Sequence, residues 1–281
     1  MKWRGRRQSG NIEDRRGQAG AAMPIGAAGV IVILALGYFL GVDVSPLLEG
    51  QLDVPGSGAP AEMTQADLAA GEFVAVTLAD TEAIWSEVFA DQLGGEYAAP
   101  VLVLYKGVTR SPCGAASGAT GPFYCPGDSK IYLDTGFFTT LAERLGAGGD
   151  FAAAYVVAHE VAHHVQAELG ILGEAQTLRA RVSEARSNDI SVRIELQADC
   201  FSGIWARLAE ARLGTVEPGD LAEALNAARQ IGDDTLQRNA GRAVQPHTFT
   251  HGSAAARSRW FQRGYETGAI AACDTMSADR L

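Results

Sequence analysis

One short stretch of the chain has the spacing of a metal-binding helix. It runs Tyr155-Val-Val-Ala-His159-Glu160-Val-Ala-His163 and contains the pattern H-E-x-x-H. Helical residues four apart lie on one face, one turn above the other, so His159 and His163 can hold one metal ion with two imidazoles. Glu160 follows the first ligand directly, and its carboxylate can accept a proton from a bound water. These residue types predict a catalytic zinc site, one ion per chain, with a position open for water.

The residues around the motif favour this metal site. Alanine and valine fill most of the flanking positions, and three of the chain's five histidines lie here. The alternative is an amphipathic helix with its histidines in solvent. A buried helix carries polar groups on its inner face only where they have partners, and a metal ion would be such a partner.

A second acidic pair lies downstream, in Glu195-Leu-Gln-Ala-Asp199-Cys200. Ser187 or Asn188 is a suitable N-terminal cap, and the apolar residues that follow predict a helix. Glu195 and Asp199 are four apart and share one face. The longer Glu195 can reach the metal as third ligand, and Asp199 can take the free ring N–H of a ligating histidine. The reverse assignment and two solvated surface acids remain as alternatives.

At this point the chain resembles the gluzincin metallopeptidases, in which H-E-x-x-H is followed by a helix with Glu-x-x-x-Asp. It resembles more closely a bacterial family of neutral zinc metallopeptidases. The motifs that carry the closer resemblance are Gly121-Pro-Phe-Tyr-Cys125-Pro, Glu195-Leu-Gln-Ala-Asp199-Cys200-Phe, Ile231-Gly-Asp-Asp234, Phe249-Thr-His251-Gly-Ser253 and Trp260-Phe-x-x-Gly264. The resemblance implies a zincin-like, membrane-anchored peptidase. Glu195 would be a zinc ligand, and Asp199 would orient a ligating histidine.

The resemblance also implies where substrate docks. In zincin-like folds the strand before the zinc helix is a sheet edge to which substrate adds as another strand, and residues 130–134 occupy that place. The alternative is that the loop or another strand covers this edge.

His251 lies where a loop meets a helix capped by Thr250 or Ser253. It can face a cleft and hydrogen-bond a developing oxyanion, or it can anchor the loop. Asp233 and Asp234 could bind a hard cation, but they are interpreted as solvated helix-end acids or supporting contacts.

The overall composition limits the class of protein. With 281 residues, the chain suffices for one sizeable domain plus appendages, and its hydrophobic fraction of 47% is ordinary for a globular protein. The formal net charge of −10 argues against a nucleic-acid partner.

The first residues predict a membrane anchor. Residues 1–22 are basic and lack apolar periodicity, so we expect a disordered cytoplasmic tail. Residues 23–42 form an uncharged apolar run long enough to span a bilayer, and the basic flank predicts a cytoplasmic N-terminus and a periplasmic or extracellular domain. Residues 43–66 are predicted to be a linker, and residues 67–281 the metallopeptidase domain. A cleaved signal peptide is the alternative.

The four cysteines all follow that segment, where the predicted orientation places them in an oxidising compartment. Cys113 and Cys125 bracket a loop that a local disulfide would close. The remaining pair, Cys200 and Cys273, would join the acidic helix to the C-terminal region. A four-thiolate metal site is disfavoured because no C-x-x-C spacing occurs.

Periodicity and turn residues predict a few strands followed by helices, which is an α+β domain dominated by helices. Strands are predicted at 101–105 and 130–134. The predicted helices are 80–93, 137–145, 150–170, 174–186, 189–212, 219–231 and 253–267.

The sequence thus predicts a single-pass, outward-facing zinc peptidase. Zinc is held by His159, His163 and Glu195, and Glu160 is the general base. The partners are a peptide or protein substrate and the membrane. Two alternatives are a membrane-tethered zinc module with little catalysis and a zinc amidase that acts on cell-wall material.

Overall fold

The computed structural model describes residues 1–17, 63–117 and 120–281. The helices are α1 (Gln65–Val88), α2 (Phe137–Thr139), α3 (Asp150–Glu168), α4 (Ile171–Arg179), α5 (Glu184–Leu208), α6 (Asp220–Gln230), α7 (Asp233–Asn239) and α8 (Ala254–Thr267). The strands are β1 (Ile12–Asp14), β2 (Val101–Tyr105), β3 (Val108–Ser111), β4 (Gly114–Ser117), β5 (Phe123–Cys125) and β6 (Lys130–Asp134). The predicted helix-dominated α+β class is confirmed for the described residues.

A sheet of four strands packs beside the helices in the order β1-β2-β6-β5. β1, β2 and β6 are parallel, whereas β5 pairs antiparallel with β6, with Phe123 opposite Tyr132. β2 is buried along nearly its whole length, as expected for a Val/Leu run inside a parallel sheet. The predicted strands at 101–105 and 130–134 are confirmed. β3 and β4 form a separate hairpin.

The position of β6 corrects one expectation. Residues 130–134 were expected to form the free edge of the sheet, but β6 lies between β2 and β5 and is paired on both sides. The edge on this side is β5. Sequence periodicity missed β5 because it is only three residues long and lies between Pro122 and Pro126.

The N-terminal segment is part of the folded unit. β1 pairs with β2, and the Trp3 ring packs edge-on against Phe73 of α1 at 5.4 Å between centroids. The Met1 amine donates a hydrogen bond to Asp150 at the start of α3, with N and Oδ1 2.6 Å apart. The predicted disorder of this tail is therefore wrong for residues 1–17, because its basic and aromatic side chains contact α1 and its terminal amine contacts α3.

Helix α1 begins fifteen residues before the predicted start. Thr64 caps it, and Thr64 and Asp67 form a reciprocal capping box. Asp80, the first residue of the predicted helix 80–93, lies inside α1 and forms an ion pair with Arg6. The helical path continues through a π turn and ends at Gly94, whose φ of 66° is left-handed as in many C-terminal caps.

Two glycines let α5 and α8 approach closely, which brings site residues of both helices together. A Cβ atom at Gly203 would lie 2.0 Å from the Phe261 carbonyl oxygen, and one at Gly264 would lie 1.8 Å from that of Cys200. Any larger residue at these positions would push the helices apart. Disulfides Cys113–Cys125 and Cys200–Cys273 are both present, as predicted, and the second ties α5 to the C-terminal region.

Within the described ranges, no helix has both the length and the apolar character that a membrane crossing requires. The predicted transmembrane segment, residues 23–42, and most of the predicted linker lie outside those ranges.

Candidate active site

Helix α3 runs through the core and carries the H-E-x-x-H motif, and the imidazole rings of His159 and His163 face α5. His159 is buried, and its two ring nitrogens have different partners: Nδ1 lies 3.1 Å from Asp199 Oδ1, and Nε2 lies 3.1 Å from Glu195 Oε2. A carboxylate at Nδ1 keeps the proton on that nitrogen and leaves the Nε2 lone pair for a metal ion.

His163 is held in the same way by a different partner. Its Nδ1 lies 2.9 Å from Gln166 Oε1, and its Nε2 lies 3.5 Å from Glu195 Oε1. The Gln166 amide is itself fixed, because its Nε2 donates to the Ile194 carbonyl of α5 at 2.8 Å. Both imidazoles therefore turn Nε2 toward one carboxylate.

These three residues fit a zinc ion. Ligand atoms of His159, His163 and Glu195 lie within 4.8 Å of one another. Two imidazoles and one carboxylate form a donor set typical of catalytic zinc. Asp150, Asp220 and Glu223 form another acidic group among the described residues, but the Met1 amine donates to two of its members.

Asp199 connects the imidazole to a buried cation. Both Asp199 and Arg257 are almost completely inaccessible, with 0% and 2% of their surfaces exposed. Arg257 Nε donates to Asp199 Oδ2, and the Tyr155 hydroxyl donates to Oδ1. Burial alone would raise the pKa of Asp199, but the Arg257 charge and the His159 hydrogen bond outweigh it and lower that pKa. Asp199 therefore stays ionised beneath His159.

Glu160 lies beside this cluster with a pKa raised by burial, although the charges of His163 and His159 act in the opposite sense. Glu195 behaves differently: burial would raise its pKa, but His163 and the His159 hydrogen bond lower it well below the usual range. Two neighbouring carboxylates thus have opposite tendencies. Glu195 is suited to bind a cation, and Glu160, whose pKa is raised, is suited to exchange a proton.

His251 lies at the mouth of the site in a loop organised by Asp233. The Asp233 carboxylate accepts hydrogen bonds from the backbone N–H groups of residues 250 to 252. His251 Nδ1 lies 3.2 Å from Asp233 Oδ1, and this hydrogen bond raises the pKa of His251. Asp233 is therefore a supporting contact for His251, and not a solvated helix-end acid.

A cleft of about 460 Å³ joins these groups. Its lining includes His159, Glu160, His163, Glu195 and His251. The outer edge of β5 forms one wall, and the backbone N–H of Tyr124 points from that edge toward Glu160. The structure therefore brings all the predicted ligand and catalytic residues to one cleft, with Asp199 buried behind it. Their roles in metal binding and catalysis stay predictions.

Comparison with known proteins assigns the chain to a family. Residues 1–276 match the model of a family described as "Putative neutral zinc metallopeptidase". The chain belongs to this family. The match starts at residue 1, so the family pattern includes the segment that carries β1 as well as the zinc helix.

Two relatives within the family cover most of the chain. "Uncharacterized protein YpfJ" of Escherichia coli K12 is 44% identical over 286 aligned positions, which cover 98% of each chain. "Uncharacterized protein Rv2575" of Mycobacterium tuberculosis H37Rv is 42% identical over 258 positions, which cover 86% of this chain and 85% of the relative. No solved structure matches the chain.

Three members of this site were missed by sequence reasoning. Tyr155 is one helical turn before His159, and Gln166 is three residues after His163, so both share the motif's face. That spacing could have predicted that Tyr155 and Gln166 contact the site. No sequence pattern singles out Arg257, because it is one of several arginines near the C-terminus. Only the packing of α8 on α5 shows that it is buried.

Proposed function

We propose that this family member hydrolyses peptide bonds with a zinc ion held by His159, His163 and Glu195. One observation carries the proposal. The Nε2 atoms of His159 and His163 both face Glu195, and their Nδ1 atoms face the side-chain oxygens of Asp199 and Gln166. Glu160 lines the same cleft. A site with only a structural ion would have no need of an adjacent carboxylate with a raised pKa.

Each side chain of the site has its own role in hydrolysis. Zinc bound there would lower the pKa of the attacking water and polarise the scissile carbonyl. Glu160 takes the proton from that water and passes it to the leaving amine. Asp199 and Gln166 keep both imidazoles oriented. Asp233 raises the pKa of His251 and so favours its protonated ring, which donates a hydrogen bond to the oxygen that becomes negative during attack.

Substrate binds as an added strand on β5. An edge strand offers backbone N–H and C=O groups to an extended peptide, and this edge faces the cleft next to Glu160. Apolar side chains around it, among them Phe123, Phe137 and Val156, would accommodate an apolar substrate side chain.

The zinc domain is proposed to lie on the oxidising side of a membrane. Two disulfides support this location, because such bonds persist in oxidising compartments. A single crossing between residues 17 and 63 would separate β1 from β2, which are paired. The location that fits this pairing has residues 1–17 on the same side as the domain, and a cytoplasmic N-terminus does not fit it.

Labelling with a membrane-impermeant maleimide tests this location. The exposed positions Gln8 and Arg181 are replaced by cysteine, one at a time, and intact spheroplasts are labelled. We expect both positions to react. Reaction at position 181 alone would support one crossing and contradict β1 pairing in the cell. Reaction at neither position before permeabilisation would place the domain inside.

The activity itself is tested with the full chain in detergent and a proteome-derived peptide library. Wild type loaded with zinc should cleave peptides, and a chelator should stop cleavage. Glu160→Gln is the matched control, since it keeps the ligands but removes the base. Equal cleavage by wild type and Glu160→Gln, or none by either, would reject the proposal.

A further inference from the structure

A second cavity of about 260 Å³ opens beside the zinc cleft. The two cavities are adjacent and share Pro126, Leu172, Ile194 and Glu195 in their linings, and together they are called the groove here. The second cavity lies between α4 and α5. Nothing in the proposed hydrolysis uses it.

The floor of this second cavity follows one face of α5. Ser187, Ser191 and Glu195 are spaced four apart, so they lie in a row on that face. Glu195 and Ser191 line the cavity. At 1.5 Å per residue, Ser187 lies about 12 Å along the helix axis from Glu195. An extended peptide covers that distance in about three to four residues.

Arg179 stands at the far end of the row. It lines the second cavity, and its Nε donates a hydrogen bond to Ser187 Oγ at 3.1 Å. Its side chain is exposed, and it forms no ion pair with a carboxylate among the residues that the structure describes. Ser187 thus holds a guanidinium, a bidentate carboxylate binder, over the end of the groove.

The direction of β5 decides which part of a peptide reaches Arg179. Pro126, which lines both cavities, directly follows the C-terminal end of β5, so the second cavity lies toward that end of the strand. A peptide antiparallel to β5 has its N-terminal part at that end. Its residues before the cleaved bond therefore run over Ser191 toward Arg179.

We propose that this groove selects peptides with aspartate or glutamate three to four residues before the cleaved bond, and that Arg179 is the residue that recognises the acidic side chain. The proposal rests on the peptidase function above and names its substrate class. Gln176, three residues before Arg179 on α4, lines the same cavity and adds a neutral amide beside the carboxylate.

Binding to the zinc-loaded Glu160→Gln full chain tests this preference without any need for turnover. The probes are two fluorescent peptides that are identical except for aspartate or lysine four residues before an apolar pair. We expect the aspartate peptide to bind about two- to fivefold more tightly, the range for an exposed charge pair. Arg179→Glu should reverse the order. Arg181→Glu is the matched control, since it makes the same charge change at an exposed position outside the cavity lining.

Equal affinity for the two peptides, no binding of either, or a reversal by Arg181→Glu as large as that by Arg179→Glu would overturn the proposal. Cleavage-site profiling with wild type gives a separate readout. An acidic preference after the cleaved bond would also overturn it. Failure of wild type to cleave any peptide would reject the peptidase function, whereas the binding comparison would still decide the role of Arg179.

Discussion

Arg257 donates two hydrogen bonds to Asp199, from Nε to Oδ2 at 2.9 Å and from Nη2 to Oδ1 at 3.0 Å. The same carboxylate holds Nδ1 of His159. A buried cation on α8 therefore reaches the proposed zinc ligand on α3 through one carboxylate on α5. This chain of contacts couples the stability of the domain to the metal site, because neither charge can be left alone in the core.

Replacing Arg257 by methionine should destabilise the protein and weaken zinc binding. Removal of one partner of a buried ion pair costs about 3–5 kcal/mol. Loss of support behind a metal ligand typically lowers metal affinity by about 10–100-fold. Urea unfolding and a competitive zinc titration measure the two effects. Arg259→Met is the control, because Arg259 is exposed on the same helix. Equal effects of the two substitutions would contradict the buried-pair account.

The rate of hydrolysis as a function of pH should depend on the protonation of His251. Its Nδ1 faces Asp233, so Nε2 can donate a hydrogen bond only while the ring is protonated. The raised pKa means that the cation is present below the folded pKa, and activity falls as pH rises through it. Asp233→Asn should move this alkaline decline to lower pH. His251→Asn should abolish it and reduce kcat by about 10²–10³-fold.

The readout for His251 is kcat as a function of pH for wild type and both variants, with thermal unfolding to check that each folds. An alkaline decline at the same pH in all three proteins would assign that decline to another group. A His251→Asn variant with wild-type kcat would leave His251 as a loop anchor.

The N-terminal segment should stabilise the zinc domain. Trp3 is buried against Phe73, and removal of a large aromatic from a core costs about 3–5 kcal/mol. Trp3→Ala should lower the free energy of unfolding by about that amount, measured in urea on the full chain. Lys2→Ala is the control at the exposed neighbouring position, since the Arg4 guanidinium lies over the Trp3 ring, 4.3 Å from its centroid. A Trp3→Ala variant as stable as Lys2→Ala would mean that residues 1–17 do not pack as described.

Local signals predicted much of the site. The four-residue spacing of His159 and His163, and of Glu195 and Asp199, suffices to place each pair on one helical face. The short loop between Cys113 and Cys125 predicted one disulfide, and Cys200–Cys273 followed as the remaining pair. These features depend on helix geometry and on short loops, which a sequence displays directly.

Contacts between residues that are far apart in sequence could not be predicted from such local patterns. The predicted helix 80–93 starts at Asp80, yet Asp80 lies inside α1 and its partner is Arg6, which is far away in sequence. β5 was missed because three residues show no periodicity, and its role as the edge appears only once β6 is paired on both sides. Arg257 reaches Asp199 only because Gly203 and Gly264 let two helices meet closely.

Zinc content after dialysis against a mild chelator, read beside peptide hydrolysis, tests the central claim most directly. Wild type and Glu160→Gln should each retain one zinc per chain, and Glu160→Gln should not hydrolyse peptide. Glu195→Gln should lose the metal at micromolar zinc, whereas Asp199→Asn should bind it about 10–100-fold more weakly. Retention by Glu195→Gln with loss by Asp199→Asn would reverse the two assignments. Hydrolysis by Glu160→Gln at the wild-type rate would contradict the mechanism.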